Sequence, residues 1–287
     1  MAMDTRVILV TGATGHQGGA VARELLTRQH TVRAMTRKPD SEAAEALARL
    51  GAEVVKGDLN DAESLRRALQ GAWGVFAVQN TWEAGVEGEE AQGKRIAELA
   101  RRAGAQHYVY SSVGSAHRKT GIPHFDNKWR IEETVRGLAF PSHVILRPVF
   151  FMDNFLSAWF KPGIDQGKLM IALGPTTVLQ MIAVKDIGKY GLLAFEKAEE
   201  MNRKEIDLAG DAHTIPQAAQ ILSKAAGRTI TFQPVPIEQV RKGSEDSAIM
   251  LEWFDRVGYS ADISGNVKRY GIDPTTLAEW AASVRWS

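Results

Sequence analysis

Thr11-Gly12-Ala13-Thr14-Gly15-His16-Gln17-Gly18-Gly19 places glycines three residues apart, at 12, 15 and 18. The first permits a tight turn, the second lets backbone N–H groups reach a pyrophosphate, and the third lets a following helix pack closely on a strand. That helix's N-terminus adds unpaired N–H donors and a partial positive charge for phosphates. A tight strand-to-helix turn with no ligand would use the same glycines, so the surroundings decide. About 20 residues on, NAD-binding chains usually carry an acid for the ribose 2′-OH. This sequence has Met35-Thr36-Arg37-Lys38 there instead. A carboxylate would repel a 2′-phosphate, whereas Arg37 can fork onto one and Lys38 adds a point charge. The pair favours NADP(H) over NAD(H); the alternative is a solvated basic turn. Asp58-Leu59 falls where an adenine would lie, or forms a plain helix cap or turn. Gln79-Asn80-Thr81 follows the fourth strand, on the carboxyl edge where open α/β sheets bind ligands.

Proton chemistry is the second question. A short-chain dehydrogenase sets a serine after the fifth strand and a Tyr-x-x-x-Lys on the next helix. The tyrosine protonates the carbonyl oxygen, and the lysine lowers its pKa and grips the nicotinamide ribose. Ser112 is in place, and Lys128 lies at the right distance downstream, but four residues before it stands His124. The positions four beyond the five tyrosines are Ser112, Gly114, Ala194, Ile263 and Pro274, so the chain has no Tyr-x-x-x-Lys. If His124 and Lys128 share a helix, their spacing puts them on one face. An imidazole with an ordinary pKa of about 6.5 could then supply a proton. Against that, a histidine at a helix start is more often a cap or solvent-facing. The candidate catalytic set is Ser112, His124 and Lys128. The seven histidines show no metal-ligand spacing.

The elements that must position these residues follow one rhythm to about residue 150: a short β-branched run, a turn, a helical stretch. Strands are predicted at 6–11, 31–36, 53–56, 75–78, 108–111 and 144–147, with helices at 17–28, 41–50, 62–69, 87–103 and 127–136. Such alternation indicates right-handed parallel βαβ units, and continuous apolar strands indicate a sheet covered on both faces. The expected fold is α/β, a doubly wound parallel sheet with a smaller α+β C-terminal lobe. The expected division is a dinucleotide-binding domain over 1–150 and a lobe over 151–287, with segments near 180–210 returning to the first sheet. In the lobe, strands are expected at 180–184, 205–209 and 229–234, and 162–174 reads as loop. Helices are expected at 185–197, from Thr214 or Pro216 to 226, at 244–257, and at 275–284 behind Asp273-Pro274. Trp82, Phe150, Phe151, Trp159 and Phe160 either line an apolar pocket over a nicotinamide or belong to the core.

Composition narrows the classes further. The 287 residues are 44% hydrophobic and 24% charged, as in a soluble globule with a sizeable core, so global disorder is excluded. The net charge of +1 provides no field for gathering polyanions, and basic runs such as Arg101-Arg102 read as solvated faces. No direct nucleic-acid partner is expected. The absence of cysteine excludes disulfides, thiolate nucleophiles and cysteine-ligated metals. No stretch approaches 18 apolar residues and no signal peptide is evident, so a cytoplasmic protein without a membrane partner is expected.

VTGATGHQGGAVARELL, TRKP, GAEVVKGDLND, the QGK at 92–94, HFDNK, RPVFFMDNF and the later VKDIG at 184–188 together resemble the NmrA-like family of atypical short-chain dehydrogenase/reductases. The likeness is greatest to that family's NADP(H) redox-sensor branch. The resemblance implies a Rossmann fold with NADP(H) held by Gly12, Ala13, Thr14, Gly15, His16, Gln17 and Gly18, then by Arg37, Lys38 and Ser41. It adds Asp58, Leu59, Gln79, Asn80, Thr81, Lys94, Lys128, Phe151 and Asn154. It also implies one of two roles. One is a sensor whose bound cofactor controls meeting a regulatory protein; the other is an NADPH-dependent reductase of quinone or carbonyl substrates that relies on Lys128 without the tyrosine.

Overall fold

The computed structural model describes residues 6–286. In chain order the first elements are β1 (Val7–Val10), α1 (His16–Thr27), β2 (Thr31–Thr36), α2 (Glu42–Arg49), β3 (Glu53–Lys56) and α3 (Ala62–Leu69). Next come β4 (Ala72–Ala77), α4 (Thr81–Arg102), β5 (His107–Ser111), α5 (Pro123–Gly137) and β6 (Ser142–Pro148). The remainder comprises β7 (Phe150–Phe151), α6 (Lys161–Asp165), β8 (Lys168–Ile171), β9 (Val178–Ile182), α7 (Val184–Glu196), β10 (Lys204–Leu208) and β11 (Asp211–Thr214). It ends with α8 (Ile215–Ala226), β12 (Thr231–Pro234), α9 (Ile237–Gly243), α10 (Glu245–Arg256), α11 (Ile263–Tyr270) and α12 (Leu277–Ser283).

The chain forms two compact units. The first holds the described residues up to Val113, with Asp126–Arg147 and Ile187–Ile206. Its seven-stranded sheet runs β10-β6-β5-β4-β1-β2-β3, and the pairs β1–β2, β2–β3, β1–β4, β4–β5 and β5–β6 are parallel. The order reverses direction between β1 and β4, the topological switch point of a doubly wound Rossmann sheet. Leu9, Val75, Tyr108 and Ile145 from the strands pack with Leu65, Leu69, Ile96 and Ile131 from the helices in one buried cluster. This is the physical basis of the continuous apolar runs: strands covered by helices have no solvent face to make polar.

The second unit holds Gly114–Phe125, Pro148–Asp186 and the described residues from Asp207 on. In it β9 pairs antiparallel with β11 and parallel with β7, while β12 pairs parallel with β8. The stretch read as loop at 162–174 contains α6 and β8, each too short to leave a periodic signal. Two helices, α9 and α11, stand where none was expected, α11 behind an Asp262 cap. Helix α8 starts at the Thr214 cap, completed by Gln217. Helix α12 starts behind Thr276 with Glu279 in a reciprocal capping box, not at Asp273-Pro274, because two satisfied N–H donors fix the terminus.

Candidate functional site

The glycine turn joins β1 to α1 at the switch point. Gly12 has φ of 57°, which glycine adopts without strain. A Cβ on Gly18 would lie 2.4 Å from the Gly12 carbonyl oxygen and 2.5 Å from that of Thr11, so the helix can approach the turn only without a side chain there. Thr11 anchors the turn to the strand behind it, donating to Val78 O at 3.0 Å and accepting from Val78 N at 2.9 Å. Helix α1 begins at Gly15 with no side-chain cap and no acid in its first turn. Its leading N–H groups therefore have no side-chain acceptor, and an uncapped helix N-terminus of this kind can receive an anion. Ala13 is buried; Thr14 and His16 are exposed. Thr14 Oγ1 lies 3.3 Å from Thr36 Oγ1, which brings the glycine turn beside the end of β2. Gln17 accepts from the Ser111 hydroxyl at 2.6 Å.

Beyond β2, Arg37 and Lys38 are exposed, and Arg37 Nη2 donates to Glu83 Oε2 at 2.6 Å. Ser41 caps α2 by accepting from Ala44 N and donates to Lys38 O at 2.8 Å. Asp58 makes a local turn, accepting from Asn60 N at 2.8 Å, while Leu59 packs against the core cluster. Gln79, just past β4, is 6% exposed, and neither its amide oxygen nor its amide nitrogen has a hydrogen-bond partner. Leaving both ends of a buried amide unmatched is costly, so this side chain carries hydrogen-bonding capacity that its protein neighbours do not meet. Asn80 caps α4 through Trp82 N, and Lys94 pairs with Glu90 on that helix at 2.6 Å. In the second unit, Phe151 lies half-buried on β7 and Asn154 in the short turn that follows. Phe150 and Phe160 pack with Phe155 at centroid distances of 5.7 and 5.7 Å, while Trp159 is 88% exposed. These two phenylalanines therefore belong to a packed aromatic cluster, and Trp159 to the surface.

Each residue expected to handle a proton meets a carboxylate. Ser112 Oγ donates to Glu132 Oε1 at 2.6 Å, and Glu132 is also held by Arg147 Nε at 2.8 Å, with all three buried. Lys128 Nζ pairs with Glu89, which also accepts from Thr81 Oγ1 and from Asn127 Nδ2. Lys128 and His124 do share α5, but the imidazole Nδ1 pairs with Asp246, whose second oxygen accepts from His124 N at 3.0 Å. Tyr110, on β5, has its phenol pushed well above the ordinary range, first by burial and then by the Glu89 and Glu132 charges, so it stays protonated. The carboxylates Glu83, Glu89, Glu132 and Asp246 were not singled out in the sequence. They lie on helices with no motif spacing, and only folding brings them to their partners. Among the described residues no group of three or more His, Asp or Glu could hold a metal, and no helix is long and apolar enough to cross a membrane.

A family model described as the NmrA-like family matches residues 4–281. A curated NmrA-like oxidoreductase, FrzB of Cladobotryum, is 39% identical over 169 residues, covering 55% of this chain and 50% of the relative. The chain spans about half the length of several curated oxidoreductase relatives it matches. An NmrA-like family domain-containing protein of Dictyostelium discoideum is 27% identical and aligns over 98% of this chain and 99% of its own. Among solved structures, the negative transcriptional regulator NmrA in complex with NADP superposes with a TM-score of 0.80 at 23% identity, covering 98% and 95% of the two chains. The Citrobacter triphenylmethane reductase complexed with NADP(H) gives 0.78 at 22%, covering 96% and 98%. An NADPH-dependent quinone oxidoreductase of Escherichia coli gives 0.77 at 24%, also over 96% and 98%. Glycine turn, switch-point sheet and a family match running almost from end to end agree: this chain belongs to the NmrA-like family.

Proposed function

We propose that the chain binds NADP(H) at the carboxyl edge of the first unit's sheet and acts as a redox sensor whose bound cofactor controls the meeting with a regulatory protein. The observation that carries this reading is a contrast. The phosphate cradle and Gln79 have unmet hydrogen-bonding capacity, whereas Ser112, His124 and Lys128 are each tied to a carboxylate. Gly12 to Gly18 and the α1 terminus would hold the pyrophosphate, Arg37 and Lys38 the 2′-phosphate, and Gln79 a polar group that answers its amide. The cofactor, when bound, supplies a hydride donor or acceptor. The chain's own groups would pair with the 2′-phosphate through Arg37 and Lys38 and hold the pyrophosphate on backbone N–H groups; they offer no unengaged acid among Ser112, His124 and Lys128. With no cysteine to oxidise, a sensing role would run through the nicotinamide pool.

A second reading, a reductase, is favoured by the oxidoreductase names of the relatives and by the two reductases among the structural neighbours. It fits acceptors that need no protein acid: a quinone takes its proton from water after hydride transfer, and a triarylmethyl cation needs none. NADPH binding followed by fluorescence, then NADPH consumption with quinones, a triphenylmethane dye and aldehydes, separates the two. Tight binding without turnover is expected for the sensor. Turnover of quinone or dye but not aldehyde replaces it with the reductase, and failure to bind NADPH removes both.

A further inference from the structure

Arg37, the residue read above as the partner of a 2′-phosphate, already holds an anion of the chain's own. Its Nη2 donates to Glu83 Oε2 at 2.6 Å, and the other Glu83 oxygen accepts from Asn80 Nδ2 at 3.3 Å. Glu83 sits in a single turn at the head of α4, separated from the rest of that helix by Gly85, whose φ of 73° and ψ of 169° break the helical path. Arg37 and Glu83 side chains are 62% and 56% exposed, so the pair is open to a ligand. The Thr14–Thr36 contact sets this arginine beside the glycine turn. The end of β2 thus contacts the glycine turn through Thr36 and the head of α4 through Arg37, and the latter segment contributes a competing carboxylate.

We propose that Glu83 is a specificity latch: a 2′-phosphate displaces it from Arg37, whereas a dinucleotide lacking that phosphate leaves the pair closed. This rests on the reading of Arg37 as the phosphate's partner. A phosphate brings more charge and three acceptor oxygens to the guanidinium than one carboxylate can. The two anions repel at that distance, so the carboxylate swings away. An exposed ion pair of this kind is weak, so having to break it on binding lowers NADP(H) affinity by no more than about two- to fivefold relative to a chain without the pair. The latch therefore attenuates NADP(H) binding without abolishing it, and it releases the turn that carries Trp82, a side chain 65% exposed.

The test compares NADPH and NADH dissociation constants for the wild type, Glu83→Gln and Arg37→Gln, with the fluorescence of Trp82 as a second readout. Glu83→Gln is expected to tighten NADPH about two- to fivefold and leave NADH unchanged. Adding NADP+, but not NAD+, should change tryptophan emission, and the change should vanish in Trp82→Phe. Arg37→Gln should lower NADPH affinity towards that of NADH, with Lys38 retaining part of the preference. If Arg37→Gln has this effect while Glu83→Gln leaves NADPH affinity unchanged or weakens it, the latch is overturned and the phosphate assignment stands. Equal emission changes with both cofactors also overturn the latch. If Arg37→Gln leaves the NADPH-to-NADH ratio untouched, the phosphate assignment fails and the latch with it.

Discussion

Lys128 and Glu89 show how much a single residue's meaning depends on what folding brings beside it. Glu89 has no exposed surface, and its carboxylate gathers an ammonium, a hydroxyl and an amide. Burying such a pair is expensive, and the pair offsets that cost only while it stays complete. Lys128→Met would leave a buried carboxylate without its cation and should cost about 3–5 kcal/mol of stability. Adding Glu89→Gln should recover most of the loss, since two neutral groups replace two charges. Urea unfolding of both variants checks this; a loss below about 1 kcal/mol for Lys128→Met would show that the carboxylate does not depend on the lysine. The same pairing bears on any activity assay, because a lysine variant that unfolds says nothing about hydride transfer. Cofactor binding by the double variant is the informative comparison.

At the scale of elements, the β1–α1 junction is where geometry is least forgiving. Alanine is ordinarily the better helix former, by about 1 kcal/mol over glycine. Gly18→Ala should nevertheless destabilise the chain by about 1–3 kcal/mol, because the new methyl would meet backbone oxygens at 2.4 and 2.5 Å that cannot rotate away. The displaced turn would also misalign the N–H groups proposed for the pyrophosphate, so NADPH affinity should fall more than about tenfold. Thermal unfolding with and without NADPH measures both effects. A variant at least as stable as the wild type would remove the close-packing account of the third glycine. Helix α4 illustrates the opposite device: it is broken at Gly85, which gives its first turn, with Trp82 and Glu83, a geometry independent of the long remainder.

At the scale of the molecule, pH sensitivity comes from a buried histidine that is none of the candidate catalytic residues. His107 starts β5, is fully buried, stacks on Trp73 at 5.7 Å, and exchanges a hydrogen bond with Ser142 at 2.8 Å. Burial lowers its pKa to about 4, with the His143 and Arg6 charges acting in the same direction. A histidine whose folded pKa lies below its unfolded value binds more protons unfolded. The stability it contributes is therefore complete above about pH 6.5 and is lost as pH falls towards 4, by about 3 kcal/mol at most. His143, lowered chiefly by burial, acts in the same sense. Chemical denaturation between about pH 7 and 5.5, above the range where most carboxylates titrate, should show the onset of this slope, and His107→Gln should flatten it. A flat wild-type profile would mean that the imidazole is not held neutral.

The glycine turn, the basic pair at 37–38 and the alternating strands and helices were legible in the sequence because each is a local device. Spacing, turn chemistry and apolar runs operate over a few residues and need no partner from elsewhere. The short elements β8, α6, α9 and α11 were not legible: the equally short β3 and α3 could be read only because they fall within the repeating strand–turn–helix rhythm of the first 150 residues, which the later chain lacks. The position of Lys204–Leu208 as the edge strand beside β6 was decided by pairing over a long stretch of chain. So were the carboxylates at 83, 89, 132 and 246, which determine whether an arginine, a lysine, a serine and a histidine have hydrogen-bonding capacity to spare. The sequence by itself determined which chemical groups the chain possesses and the local frame for a dinucleotide. Only the tertiary structure decided which of those groups already have a partner, because an ion pair or a buried hydrogen bond forms by proximity in space, and proximity across tens of residues is a property of the fold.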